Sequence, residues 1–150
     1  MTPPTVHATA VVVGEAGVLI RGASGSGKTS LAFALVDAAR QSGLYAAFVA
    51  DDRVALTAAH GRLVARCPEP LSGLAERRGR GIERVEHVPA AVIRLVADLV
   101  DAEAVARLPE ATETEVEIDG VRLPRQAIPA RQTVVSLPLL AAALAEMNKI

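Results

Sequence analysis

The chain has one cysteine, Cys67, no tryptophan, and three aromatic side chains in all, Phe33, Tyr45 and Phe48. A lone thiol cannot close an intramolecular disulfide, so a disulfide framework is excluded and a reducing cytoplasm is the compartment expected. Cys67 reads as a small buried hydrophobe. Neither sign of charge is in surplus: 16 basic against 17 acidic residues leave a formal net charge of −1. Without a basic excess or a set of stacking aromatics, a nucleic-acid partner is not expected. The apolar runs stop well short of the roughly 18 residues that mark a membrane-spanning helix, so no membrane partner is expected either. The opening Met1-Thr2-Pro3-Pro4-Thr5-Val6-His7 has neither the basic nor the apolar region of a secretory leader.

What is present is apolar material for one core: 51% of 150 residues are hydrophobic, with no repeat or linker to divide them. A single domain over residues 1–150 is expected. Val11-Val12-Val13 and Val18-Leu19-Ile20 flank Gly14-Glu15-Ala16-Gly17 and predict a hairpin. Thr29 to Arg40 repeats apolar residues at helical spacing and stops at Ser42-Gly43, and Tyr45 to Ala50 is a short apolar run. Strand, loop, helix and strand in that order make a βαβ unit and an α/β fold. Val54 to Leu56 and Arg62 to Val64, around Ala58-Ala59-His60-Gly61, predict a second hairpin, after which Cys67-Pro68-Glu69-Pro70 breaks regular structure. Further on, Val92, Ile93, Leu95 and Val96 suggest a strand and Glu115 to Ile118 alternates like one. A helix through Met147 is expected to open at Ser136-Leu137-Pro138, with the proline in its first turn.

One motif speaks about chemistry. Gly22-Ala23-Ser24-Gly25-Ser26-Gly27-Lys28-Thr29 fits G-x-x-x-x-G-K-[ST] in full, with a strand before it and a helix after it. Glycines let successive N–H groups face phosphate oxygens, the helix N-terminus adds partial positive charge, Lys28 adds an ammonium, and Thr29 offers a hydroxyl to Mg²⁺. Nucleotide binding follows. Asp51-Asp52 closes a strand expected in the same sheet, where carboxylates reach a metal or a proton. Alternation along a strand sends the two to opposite faces and so to different roles. The one Asn-Lys pair, Asn148-Lys149, is followed by Ile150 rather than by the aspartate of a GTPase base-reading segment. Leu71-Ser72-Gly73-Leu74-Ala75 matches only the first three residues of an ABC-type signature.

His7, the loop Gly22 to Thr29, Ala50-Asp51-Asp52-Arg53 and Ala75-Glu76-Arg77-Arg78-Gly79-Arg80-Gly81-Ile82 occur in the order of the C-terminal catalytic domain of HPr kinase/phosphorylase, which the chain resembles from about Val6 to Asn148. The family signature is close to Glu-x-Arg-Gly-x-Gly-Ile. The resemblance implies a P-loop kinase-like domain with a central mixed β-sheet flanked by helices, without the family's N-terminal domain. It implies an ATP- and Mg²⁺-dependent kinase that phosphorylates a serine of the phosphocarrier HPr, with the reverse, phosphorylase reaction alongside, in a cytoplasmic homo-oligomer that is hexameric in the family. Asp52 is then the proton acceptor from the serine, Lys28 a charge on the transferring phosphate, and His7 and Arg78 active-site residues. Thr29, Glu76 and Asp51 surround Mg²⁺, a hard cation that takes oxygen ligands. Arg107 aligns with an active-site arginine and Arg131, in Ile128-Pro129-Ala130-Arg131, with one tied to the phosphorylase direction. The family commonly continues Pro-x-Arg-Pro-Gly-Arg-Asn, whereas here Arg131 precedes Gln132-Thr133-Val134-Val135, a departure that bears on the reverse reaction and on metabolite regulation. Two other readings of the same loop are a P-loop kinase with another acceptor and an ATP-dependent interaction module that transfers nothing.

Overall fold

The computed structural model describes residues 4–68 and 72–147. Short β1 (Thr5–Val6) leads into β2 (Ala8–Val13) and β3 (Ala16–Arg21), which pair antiparallel around a turn at Gly14-Glu15, one residue pair tighter than the sequence suggests. Both strands are buried on both faces, which is why they read as continuous apolar runs rather than alternating ones. The glycine-rich loop follows, then α1 (Lys28–Gln41) and β4 (Ala46–Ala50). Because β4 lies antiparallel to β2, it runs parallel to β3 with β2 between them. The expected βαβ crossover is present and spans one intervening strand.

The second hairpin is β5 (Val54–Ala59) and β6 (Arg62–Arg66), turning on His60 and Gly61 with φ of 55° and 76°. Cys67 and Pro68 then leave regular structure, while Glu69 and Pro70 of the expected break, and Leu71, lie outside the described residues. The signature stretch forms a separate two-stranded sheet, β7 (Leu74–Arg77) and β8 (Gly81–Arg84). The predicted strand around Val92 is the long β9 (Ala90–Val100). After it come two 3-10 turns, Ala102–Ala104 and Ala111–Glu113, then β10 (Glu115–Ile118), β11 (Val121–Pro129) and α2 (Thr133–Met147).

Among the described residues the main sheet has nine strands, with a path β1-β5-β6-β9-β3-β2-β4 and β11, carrying β10, added to β9. It is mixed: β9 is parallel to β3 and β11 and antiparallel to β6. Both helices pack on one face, where Leu31, Leu35 and Val36 of α1 and Leu140 and Leu144 of α2 meet Val18, Ile20, Leu95 and Ile128. The sheet curls to cover its own other face, so a second core of Leu19, Val54, Leu63, Ile93, Val96 and Leu123 forms without a helix.

Two local features depart from simple periodicity. At Gly17 the pairing of β3 with β9 shifts by one residue, stepping from Gly17↔Ile93 to Val18↔Leu95. A Cβ on Gly17 would stand 2.4 Å from the Val92 carbonyl oxygen, a backbone atom that cannot swing aside. Gly17→Ala is therefore expected to lower unfolding free energy by about 1–3 kcal/mol through overpacking, read by chemical denaturation against the parent. In α2, Pro138 lies inside the helix rather than in its first turn, because the helix starts at Thr133. Ser136 Oγ donates to the Pro129 carbonyl at 2.7 Å, and the Val135 and Ser136 N–H groups return to the Gln132 carbonyl, winding a turn before the proline arrives. The carbonyl that Pro138 leaves unbonded belongs to Val134, which is 87% exposed, so water can satisfy it.

Candidate active site

The loop Gly22 to Thr29 joins the C-terminal end of β3 to the first turn of α1, at the carboxyl end of a strand, where ligands gather in open α/β folds. Gly27 caps the helix at φ 99°, a left-handed conformation that costs a side-chain-bearing residue dearly, and no side chain bonds the first N–H groups of α1. No acidic residue occupies that first turn. The free N–H groups and the helix dipole are thus left to an anion. Gly22 is needed for a different reason: a Cβ there would fall 2.5 Å from Ser26 Oγ, a buried hydroxyl without a hydrogen-bond partner among the described residues.

Lys28 is 6% exposed, and its Nζ donates to the carbonyls of Gly22 and Ala23 at 3.0 and 3.1 Å, bracing the loop that it serves. Burial pushes its ammonium below the usual lysine range, and the carboxylates of Asp52 and Asp51 pull it back up. Opposite the loop, Asp51 works as a hub. Its Oδ1 accepts from Thr29 Oγ1 at 2.7 Å and from Thr9 Oγ1 at 3.0 Å, and its Oδ2 accepts from the Glu76 backbone N–H at 3.1 Å. Asp52 instead meets His7 Nε2 at 2.6 Å.

The two aspartates have the separate partners that strand alternation predicts, yet both line the same cleft. The reason is that Asp52 leaves the strand at φ 68°, a left-handed conformation that Asp tolerates better than most residues. The Ala8 N–H donates to the Asp52 carbonyl at 3.3 Å and ties that turn to the start of β2.

The cleft has a volume of about 490 Å³. It gathers seven of the residues singled out in the sequence, His7, Lys28, Thr29, Asp51, Asp52, Glu76 and Arg78, beside Ser24, Gly25 and Gly27 of the loop. Gly22, Ala23 and Ser26 of the loop do not line it. Two arginines are not brought in. Arg107 stands exposed between the two 3-10 turns, on a segment that packs along β11 instead of over the cleft. Arg131, at φ 58°, has an exposed side chain, and its observed contact is through the backbone: its N–H donates to the Ser26 carbonyl at 2.8 Å. Thr9 is the residue that sequence reasoning missed. It is fully buried and is the one polar side chain in the run Ala8–Val13, a signal that was available.

The HPr Serine kinase C-terminal domain family matches residues 2–149. This chain belongs to that family. Relatives named HPr kinase/phosphorylase, from Neisseria meningitidis and Neisseria gonorrhoeae, are each 33% identical to it over 135 residues, covering 79% of this chain and 40% of the relative. The chain thus spans well under half the length of these curated relatives. A solved structure described as the Hpr(Ser) kinase/phosphatase from Coxiella burnetii superposes with a TM-score of 0.75 at 25% identity, covering 96% of this chain and 92% of that one. The curled mixed sheet carrying a P-loop and, among the described residues, two helices is thus a fold shared with that structure, as the resemblance implied.

Among the described residues no group of three His, Cys, Asp or Glu side chains forms a metal cage. Magnesium does not need one, since it usually takes one or two carboxylates and completes its shell with water and phosphate. The Thr29 hydroxyl already touches the Asp51 carboxylate, and Glu76 lines the same wall, so the donors present are oxygen donors that fit Mg²⁺.

Proposed function

We propose that this domain transfers the γ-phosphoryl group of ATP to a serine of the phosphocarrier HPr. The observation that carries the reading is the convergence on one cleft of a complete phosphate loop, the Asp51–Thr29 pair and the Asp52–His7 pair. Phosphoryl transfer asks a protein for little covalent chemistry and much positioning and charge. The loop amides and Lys28 hold the phosphates, and Asp52 accepts the serine proton with its orientation fixed by His7. Thr29, Asp51 and Glu76 would hold Mg²⁺, which, when bound, supplies positive charge to the β- and γ-phosphate oxygens. Arg78, on the cleft wall, suits a phosphate oxygen because its planar fork offers two donors.

The forward direction draws on the residues that line the cleft, without Arg107, the arginine aligned with an active-site position, which stands outside it. The reverse reaction is tied by resemblance to Arg131, whose side chain is exposed outside the cleft. A hexamer in the cytoplasm, as in the family, completes the reading. Among the described residues, no helix is long and apolar enough to cross a membrane.

The experiment offers γ-labelled ATP and Mg²⁺ to the protein with three acceptors side by side: HPr, an HPr whose target serine is alanine, and a pool of small metabolites. Label on the first alone is the expected result. Label on a metabolite would move the assignment to a small-molecule kinase, and ATP-dependent capture of HPr without label would make the domain an interaction module.

A further inference from the structure

The hairpin of β7 and β8 is a sheet of its own, paired with no strand of the main sheet. It nevertheless carries two of the cleft residues. Side chains alternate along β7, so Ala75 and Arg77 face α1 while Glu76 and Arg78 face the cleft. On the α1 side of the two strands Ala75 is buried but offers only a methyl group, and Arg77 adds a larger contact, beside Val85 and the Arg40–Glu86 pair just past β8. Its guanidinium carbon lies 3.9 Å from the centre of the Phe33 ring, and its Nε is bonded to Glu83 across the hairpin. Phe33 in turn packs at 4.9 Å on Phe48 of β4, whose N–H and carbonyl bond Glu86 and Val88 at the base of the hairpin.

The geometry points to Arg77 as a positioning residue: by stacking on Phe33 it fixes the β7–β8 hairpin to α1, and so sets where Glu76 and Arg78 stand opposite the phosphate loop. The coupling is short. Phe33 is one helical turn beyond Thr29, and Glu76, next to Arg77, has its N–H on the carboxylate that Thr29 also bonds. Displacing the hairpin therefore moves Glu76 and loosens Asp51 together. The inference rests on the reading of the cleft as a Mg²⁺–nucleotide site, but not on the identity of the acceptor.

The test is binding of a fluorescent ATP analogue to the whole chain, titrated with Mg²⁺, for the parent, Arg77→Ala and Arg77→Lys. Arg77→Ala is expected to match the parent in EDTA, because the loop is untouched, and to need about tenfold more Mg²⁺ for half-maximal binding, the size usual for a residue that orients metal ligands from behind. Arg77→Lys keeps a cation over Phe33 without the Nε bond to Glu83 and should fall between the two. A Mg²⁺ curve unchanged in Arg77→Ala overturns the proposal, whatever the chain does to HPr. A shifted curve in a chain that leaves HPr unmodified supports it and overturns the acceptor assignment instead.

Discussion

Asp52→Asn is expected to bind ATP as the parent does and to phosphorylate HPr slower by about a thousandfold, within the range that general-base removal costs. The substitution isolates chemistry from folding. Asn occupies the left-handed region as readily as Asp, so the turn at φ 68° survives, and its amide still bonds His7. The Asp52 N–H to Thr9 and the Ala8 N–H to the Asp52 carbonyl are backbone contacts that the change leaves in place. What is lost is the ability to take a proton. A kinetic split follows: kcat falls while the KM for ATP holds, and the variant's melting temperature stays with the parent's. Transfer at the parent rate would remove Asp52 from the chemistry and leave His7 or the substrate phosphate itself to accept the proton.

The second large effect concerns stability. Asp98, on β9, sits between Arg21 at the last position of β3 and Arg125 on β11. Arg21 grips it with two bonds, Nε to Oδ1 at 2.7 Å and Nη2 to Oδ2 at 2.8 Å, and Arg125 Nε reaches Oδ2 at 2.5 Å. Asp98→Ala leaves two part-exposed arginines without their partner and is expected to cost about 2–3 kcal/mol, short of the roughly 3–5 kcal/mol of a fully buried pair because both guanidiniums keep access to water. Because Arg21 immediately precedes Gly22, the same change should also weaken nucleotide binding. Urea denaturation and ATP titration read the two effects, and a loss below about 1 kcal/mol, the ceiling for an exposed pair, would show the network to be a surface feature.

The pH dependence has a definite sign. Burial acts to raise the Asp98 carboxyl, but the hydrogen bonds and charges of Arg21 and Arg125 outweigh it and hold the group below the usual carboxylate range. A lowered folded-state value means that the contribution is full above the unfolded value, about 3.9, and is lost as pH falls from there through the folded value. The parent should therefore lose stability in that acid window more steeply than Asp98→Ala does.

These two sites differ in how far the sequence announced them. The phosphate loop and Asp51-Asp52 were legible because their chemistry demands particular residue types at fixed spacing: glycines that free N–H groups, a lysine, a hydroxyl, and carboxylates at a strand end. Asp98, Arg21 and Arg125 were not, since they lie 77 and 27 residues apart and only the β3–β9–β11 register brings them together. The hairpin of β7 and β8 was hidden by composition. Six of the eleven residues from Leu74 to Arg84 are charged, a composition without strand alternation in which the contact of Arg77 with Phe33 leaves no mark. β11 was hidden in the same way by Pro124 and two arginines, one of them neutralised by Asp98. Pro138 misled the reading of α2 because Ser136, capping the Pro129 carbonyl, starts the helix upstream of it.

The most direct test of the account is intact-mass spectrometry of purified HPr after incubation with this protein, Mg²⁺ and ATP, with Lys28→Ala and Asp52→Asn run in parallel. The account predicts that HPr gains the mass of one phosphoryl group with the parent and none with Lys28→Ala, and that the gain is delayed by about the thousandfold assigned to the base in Asp52→Asn. HPr left at its unmodified mass by a parent chain that demonstrably binds ATP would contradict it.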